Sequence, residues 1–203
     1  SWAKPHRGGK NSKPVEVTDS YYRVPAAGGV NSSIKDLALW MRAQMGLKPQ
    51  ILPPEVLAEV QMPRVNTSGE LRRKREFRER IKDAEYGLGW RIYDYAGHKV
   101  VGHRGGVTGY RSLIMFDPAL KSGVVALWNT NTFQPGGLGV EDERRLRREL
   151  REVAVAVSGG EGVDDGGCRV QHFLRAWGPG VHRLLLLFWR RDGVVVSFGE
   201  PWR

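Results

Sequence analysis

The sequence predicts an α+β fold built on an antiparallel sheet, followed by an irregular C-terminal tail. Three observations carry that expectation. A capped amphipathic helix is written near Ser33, three strand-like segments follow with connections too short for crossover helices, and the composition changes abruptly near residue 138. Hydrophobic residues make up 40% of the 203 residues, enough for a core and too many for a disordered chain.

The elements justify themselves in chain order. Ser33 and Asp36 form an S-x-x-D capping box, and the carboxylate of Asp36 also suits the positive end of the helix. Ile34, Leu37, Ala38, Met41 and Met45 then line one face, with Trp40 beside them, until Gly46 ends the helix. A second short helix starts at Pro53 or Pro54, since proline is tolerated in a first turn, and carries Val56, Leu57 and Val60. Strands are expected over residues 86–95, 110–116 and 123–129. The stretch DPALKS (residues 117–122) supplies a turn for a hairpin between the last two.

The tail reads differently. From Gly139 to Arg203 there is no Lys, Ile, Asn, Thr, Tyr or Met, types that make up about a quarter of the first 138 residues. Five of those six types need codons rich in A and T, so their joint absence is what a GC-rich gene gives when read out of frame. The expectation is a frameshift near residues 134–139, the alternative being a genuine Gly- and Arg-rich extension. Residues 141–157 carry Leu146, Leu150, Val153 and Val157 at helical spacing, and residues 183–191 and 193–198 are able to form short strands. The division expected is therefore 1–138 as the folded domain and 139–203 as a tail of doubtful origin.

Composition removes several function classes. No run of about 18 apolar residues exists, so no membrane-crossing helix is expected. The N-terminal residues have no apolar stretch of signal-peptide type. The single Cys168 excludes an internal disulfide and a multi-thiolate metal site. Lys plus Arg total 32 against 22 Asp plus Glu, a net charge of +10. Much of the excess lies in LRRKREFRERIK (residues 71–82), where Phe77 is the one aromatic, so a solvated basic face is expected and nucleic acid is not.

Motifs narrow the chemistry further. His98 and His103 lie five apart, a poor chelate, and no H-E-x-x-H, P-loop, nucleophile elbow or dinucleotide fingerprint is present, so neither metal nor cofactor is expected. The informative stretch is GHRGGVTGYRS (residues 102–112). It reads as a glycine-rich turn between strands, whose glycines let backbone approach a ligand closely. His103 beside it is a candidate for proton transfer or for holding an anionic group; an incidental histidine in a tight connection is the alternative.

Four strings occur in order: PAAGGVNSSIKDLALW (residues 25–40), YGLGW (86–90), GHRGGVTGYRS (102–112) and GVVALWNTN (123–131). Together they resemble the C-terminal part of the penicillin-binding-protein-like serine hydrolases, the class C β-lactamases, D-alanyl-D-alanine carboxypeptidases and related esterases. The similarity covers about residues 2–138. The resemblance implies an antiparallel sheet flanked by helices, a partial β-lactamase/transpeptidase-like fold, and acyl-enzyme hydrolysis of a small-molecule or peptide substrate. Relatives are commonly periplasmic or extracellular.

In that family a K-T-G or H-x-G triad lies on an edge strand, and His103, Arg104 and Gly105 match it. The resemblance implies that His103 positions substrate or relays a proton, that Gly105 permits close approach, and that the amide of Gly106 is an oxyanion-hole donor. Such a donor is worth about 3 kcal/mol in the transition state. Arg104 and Val107 would touch substrate.

The chain also departs from the family pattern. No Y-x-N or S-x-N occurs in the 203 residues. An S-x-x-K runs from Ser32 to Lys35, but it belongs to a block that in these proteins opens a structural helix downstream of the nucleophile. The expectation is therefore a fragment that carries the H-x-G wall, lacks the attacking serine and is inactive alone. The alternative is a non-catalytic binding module that uses the glycine-rich cleft or the basic segment for an anionic partner.

Overall fold

A computed structural model describes residues 3–7, 13–73 and 81–131, together with three strands of the tail. The helix start follows the capping logic of its sequence. The Asp36 amide donates to Ser33 Oγ at 3.1 Å, and the Ser33 hydroxyl donates to the Asp36 carboxylate at 2.7 Å. Helix α1 spans Ile34–Gln44 and gives way to Gly46, whose φ of +76° suits glycine. Helix α2 spans Pro54–Val60 with proline in its first turn.

Two short strands, β1 (His6–Arg7) and β2 (Lys13–Pro14), pair with one another. The main sheet contains β3 (Val65–Asn66), β4 (Ile81–Tyr86), β5 (Arg91–Tyr95), β6 (His98–Val107), β7 (Tyr110–Asp117) and β8 (Ser122–Trp128). Each pairs antiparallel with the next, as expected for an α+β chain with local connections. The tail contributes β9 (Cys168–Val170), β10 (Leu184–Arg190) and β11 (Gly193–Gly199). β10 continues the sheet antiparallel to β8, β11 pairs antiparallel with β10, and β9 lies parallel to β11. Two of these are the strand segments expected near residues 183–191 and 193–198. The helix expected over residues 141–157 lies outside the described residues, as does most of the basic run of residues 71–82.

Two expectations are corrected. Residues 86–95 are not one strand: residues 87–90 form a turn between β4 and β5. Gly89 there has φ of +79°, and a Cβ on Gly87 would lie 2.7 Å from the Met62 carbonyl oxygen. Nor is the glycine-rich stretch mainly a turn. Residues 102–107 continue β6, and only Thr108 and Gly109 turn the chain. Glycine has low intrinsic strand preference, but seven cross-strand pairs to β7 outweigh it.

The sheet packs α1 on one face. Ile34, Ala38, Met41 and Met45 bury against Trp90, Ile92, Val101, Phe116 and Val125. The other face collects Ile81, Tyr95, Val100, Leu113, Met115, Ala126 and Trp128. Side-chain alternation therefore assigns odd-numbered residues of β6 to the helix face and even-numbered ones to the opposite face. Trp40 stays exposed at the margin of the helix. Buried Gln61 ties the end of α2 to α1 by donating from Nε2 to the Gln44 carbonyl at 2.8 Å, while Lys99 Nζ of β6 donates to the Gln61 carbonyl at 3.0 Å.

Helix α1 comes close to the sheet at Gly123. A Cβ there would lie 2.7 Å from Met41 Sδ, the Met115 carbonyl oxygen and Phe116 Cβ. Gly123→Val is therefore expected to cost about 1–3 kcal/mol of stability by overpacking, measured as a lowered urea midpoint with unchanged slope. A neutral result would show that α1 is free to move away from β8.

Candidate functional site

The site is set by the turn at Thr108 and Gly109. Because only two residues connect the strands, Val107 and Tyr110 form a hydrogen-bonded pair, and the pairing alternates back along β6. Gly105 with Ser112 and His103 with Ile114 are then hydrogen-bonded pairs. Arg104 and Gly106 turn their backbone N–H and C=O groups away from β7. On that outward side β5 accompanies β6 only as far as Gly102, the register partner of Arg91. Among the described residues no strand runs beside residues 103–107 there. The edge strand implied by the resemblance is thus an interior strand up to Gly102 and an edge from His103 onward.

The glycines of this segment sit where side chains would collide. A Cβ on Gly105 would run into Ser112 Oγ, and one on Gly106 would lie 3.0 Å from an Arg111 guanidinium nitrogen. The turn itself is held from outside the hairpin. Tyr21 donates its hydroxyl to the Thr108 carbonyl at 2.6 Å, and the Gly109 amide donates to Asn131 Oδ1 at 2.6 Å. Tyr110 donates to the Ala3 carbonyl at 2.7 Å, and the His6 amide donates to the Asn129 carbonyl at 3.0 Å.

His103 is half-buried on the helix face of β6. Its Nε2 lies 3.0 Å from the Tyr86 hydroxyl, and the two rings meet edge to face with centroids 5.9 Å apart. Burial pushes the imidazole pKa below its usual 6.5; a backbone hydrogen bond at Arg104 opposes this, and the Arg91 charge adds to the lowering. Arg91 in turn lies with Cζ 5.4 Å from the centre of the Tyr86 ring. Tyr86 was not singled out by its sequence context, although it opens the YGLGW string.

The expected residues are not all on one side. His103, Gly105 and Val107 share the helix face of β6, where Val107 is exposed and its Cγ1 lies 3.9 Å from a Cβ placed on Gly28. Arg104 alternates to the opposite face of the strand from His103. Gly106 offers its backbone to the outward side rather than a side chain to either face. Ser32 is exposed and donates to the Ser33 carbonyl at 3.2 Å, while Lys35 is exposed on the first turn of α1. Ser1 to Lys4 (SWAK) spells the same S-x-x-K pattern, and Ser1 lies outside the described residues.

His98 and His103 lie at positions of opposite facing on β6, and His98 Nδ1 is 3.2 Å from Asp117 Oδ2. No group of three or more potential metal ligands occurs among the described residues, and no helix there is long and apolar enough to cross a membrane.

A lowered histidine pKa fixes the sign of a pH effect. Between the folded value and 6.5 the unfolded chain binds more protons, so stability falls as pH drops through that window and the penalty is absent above it. Titration by NMR is expected to give His103 a midpoint below 6.5, and His103→Asn is expected to remove part of the acid-induced loss of stability in urea unfolding. A midpoint above 6.5 would contradict the burial seen here.

Comparison with known proteins identifies the family. A family model described as Beta-lactamase matches residues 1–149, eleven residues past Leu138. Among curated proteins, the "Unguisins hydrolase ungD'" of Aspergillus campestris (strain IBT 28561) is 31% identical over 107 residues, covering 53% of this chain and 19% of the relative. The chain spans about a fifth of the length of that relative. No solved structure matches. With nearly three quarters of its length matched by the family model, the chain belongs to the beta-lactamase family.

Proposed function

We propose that this chain provides one wall of a serine hydrolase site that opens β-lactam, peptide or ester carbonyls through an acyl-enzyme. His103 positions substrate or relays a proton, Gly105 keeps the strand surface low, and the Gly106 amide donates to the developing oxyanion. Arg104 and Val107 flank the substrate path, Val107 from the helix face and Arg104 from beneath the strand. The observation that carries this reading is the phase of β6. It aims the Gly106 N–H at the side where β5 has already ended, three residues along the strand from a half-buried imidazole.

The attacking serine is assigned to residues outside these 203, because Y-x-N and S-x-N are absent and Ser33 and Asp36 use the segment around Ser32 to start α1. The chemistry in the intact site is nucleophilic: the serine oxygen adds to the carbonyl, the leaving group departs with a proton, and water then hydrolyses the ester. Residues 1–138 supply the site in this reading, and residues 139–203 take no part in it.

Two measurements test the reading. The chain alone is expected to leave nitrocefin and p-nitrophenyl acetate at the background rate and to take no label from a fluorophosphonate or a fluorescent penicillin. Covalent labelling of Ser32 would overturn the assignment of the nucleophile. In a longer form that turns over, His103→Ala is expected to lower kcat by about 10²–10⁴-fold, and unchanged kinetics would remove its role.

A further inference from the structure

We propose that Tyr86 is a positioning residue for His103, its hydroxyl donating to Nε2 and thereby fixing the orientation of the ring and the nitrogen that carries the proton. The proposal rests on the acyl-transfer reading of His103 and adds the residue that sets its tautomer. Its first support is geometric: the hydroxyl oxygen lies 3.0 Å from Nε2, with the rings inclined at 71°. The second is that Tyr86 is itself held. Its backbone pairs with Val65 on one side and Arg91 on the other, and its carbonyl accepts from the Arg64 amide at 3.0 Å. The Arg91 guanidinium over the ring covers one of its faces.

The direction of the hydrogen bond fixes where the ring proton sits. A neutral imidazole has one N–H and one lone-pair nitrogen. A phenol that donates to Nε2 requires that nitrogen to be the lone-pair one. The one proton of the neutral ring is then on Nδ1, and Nε2 is left to accept from the phenol. The groups facing the ring agree with a neutral state. Tyr86 comes from β4, the cation Arg91 from β5, and the register partner on β7 is the apolar Ile114.

The test is a long-range ¹H–¹⁵N correlation spectrum of the full chain, which distinguishes protonated from unprotonated ring nitrogens, recorded across a pH titration. The unsubstituted protein is expected to show His103 as a single Nδ1–H tautomer above its midpoint. Tyr86→Phe keeps the ring and removes the donor; it is expected to mix the tautomers and raise the proton-binding constant of His103 by about three- to tenfold. The ring of His98, paired with Asp117 rather than with Tyr86, serves as the internal control and is expected to stay unchanged. A protonated Nε2 in the unsubstituted chain overturns the proposal without recourse to any variant. So does a His103 midpoint that is unmoved or lowered in Tyr86→Phe. These readouts need no turnover, so failure of the acyl-transfer reading in labelling and kinetics is distinguishable from failure of the tyrosine's role.

Discussion

The two-residue turn between β6 and β7 fixes everything that matters at the candidate site. It sets which residues of β6 bond to β7 and which turn outward, and a slip of one residue would exchange the two sets. In the register observed, the imidazole of His103 falls on the face shared with α1 while the Gly106 amide points sideways from the sheet. Neither direction is a property of histidine or glycine. Both follow from the phase of a ladder whose starting point is Thr108 and Gly109.

That phase has to be protected, because a glycine-rich strand has few side chains of its own to hold register. The contacts that replace them come from across the sheet and beyond it. Ser112 and Arg111 occupy the space over Gly105 and Gly106, so the absence of a Cβ there is a packing requirement. Elsewhere on the helix face Met41 meets Gly123 in the same manner, which seats α1 on the sheet.

The parts of this fold legible in the sequence are those governed by neighbours in the chain. Ser33 with Asp36, Gly46 after the helix, and the hairpin at residues 117–122 are local signals, and each stands where its residues specify. The break at residues 87–90 carried its own signal in Gly87 and Gly89, but the strand-forming residues around it outweighed them. β6 was misread because its glycines argue for a turn, whereas its strand character comes from pairing with β7 and β5. Once residues 98–107 are a strand, simple alternation separates Arg104 from His103, a consequence hidden while the stretch counted as a loop. The Tyr86 contact was beyond reach for another reason. It joins residues 17 apart through the arrangement of three strands, and no local pattern encodes it.

The hairpin tip also answers to the start of the described chain. Ala3, Lys4 and His6 are bound to Tyr110, Asn129 and the backbone around Gly109, and a Cβ on Gly109 would run into Pro5. Hydrogen bonds between residues more than a hundred positions apart therefore tie the leading segment to the hairpin tip. The leading segment acts as a clasp on the turn between β6 and β7. Its fraying would loosen that turn long before the hydrophobic interior under α1 felt any change.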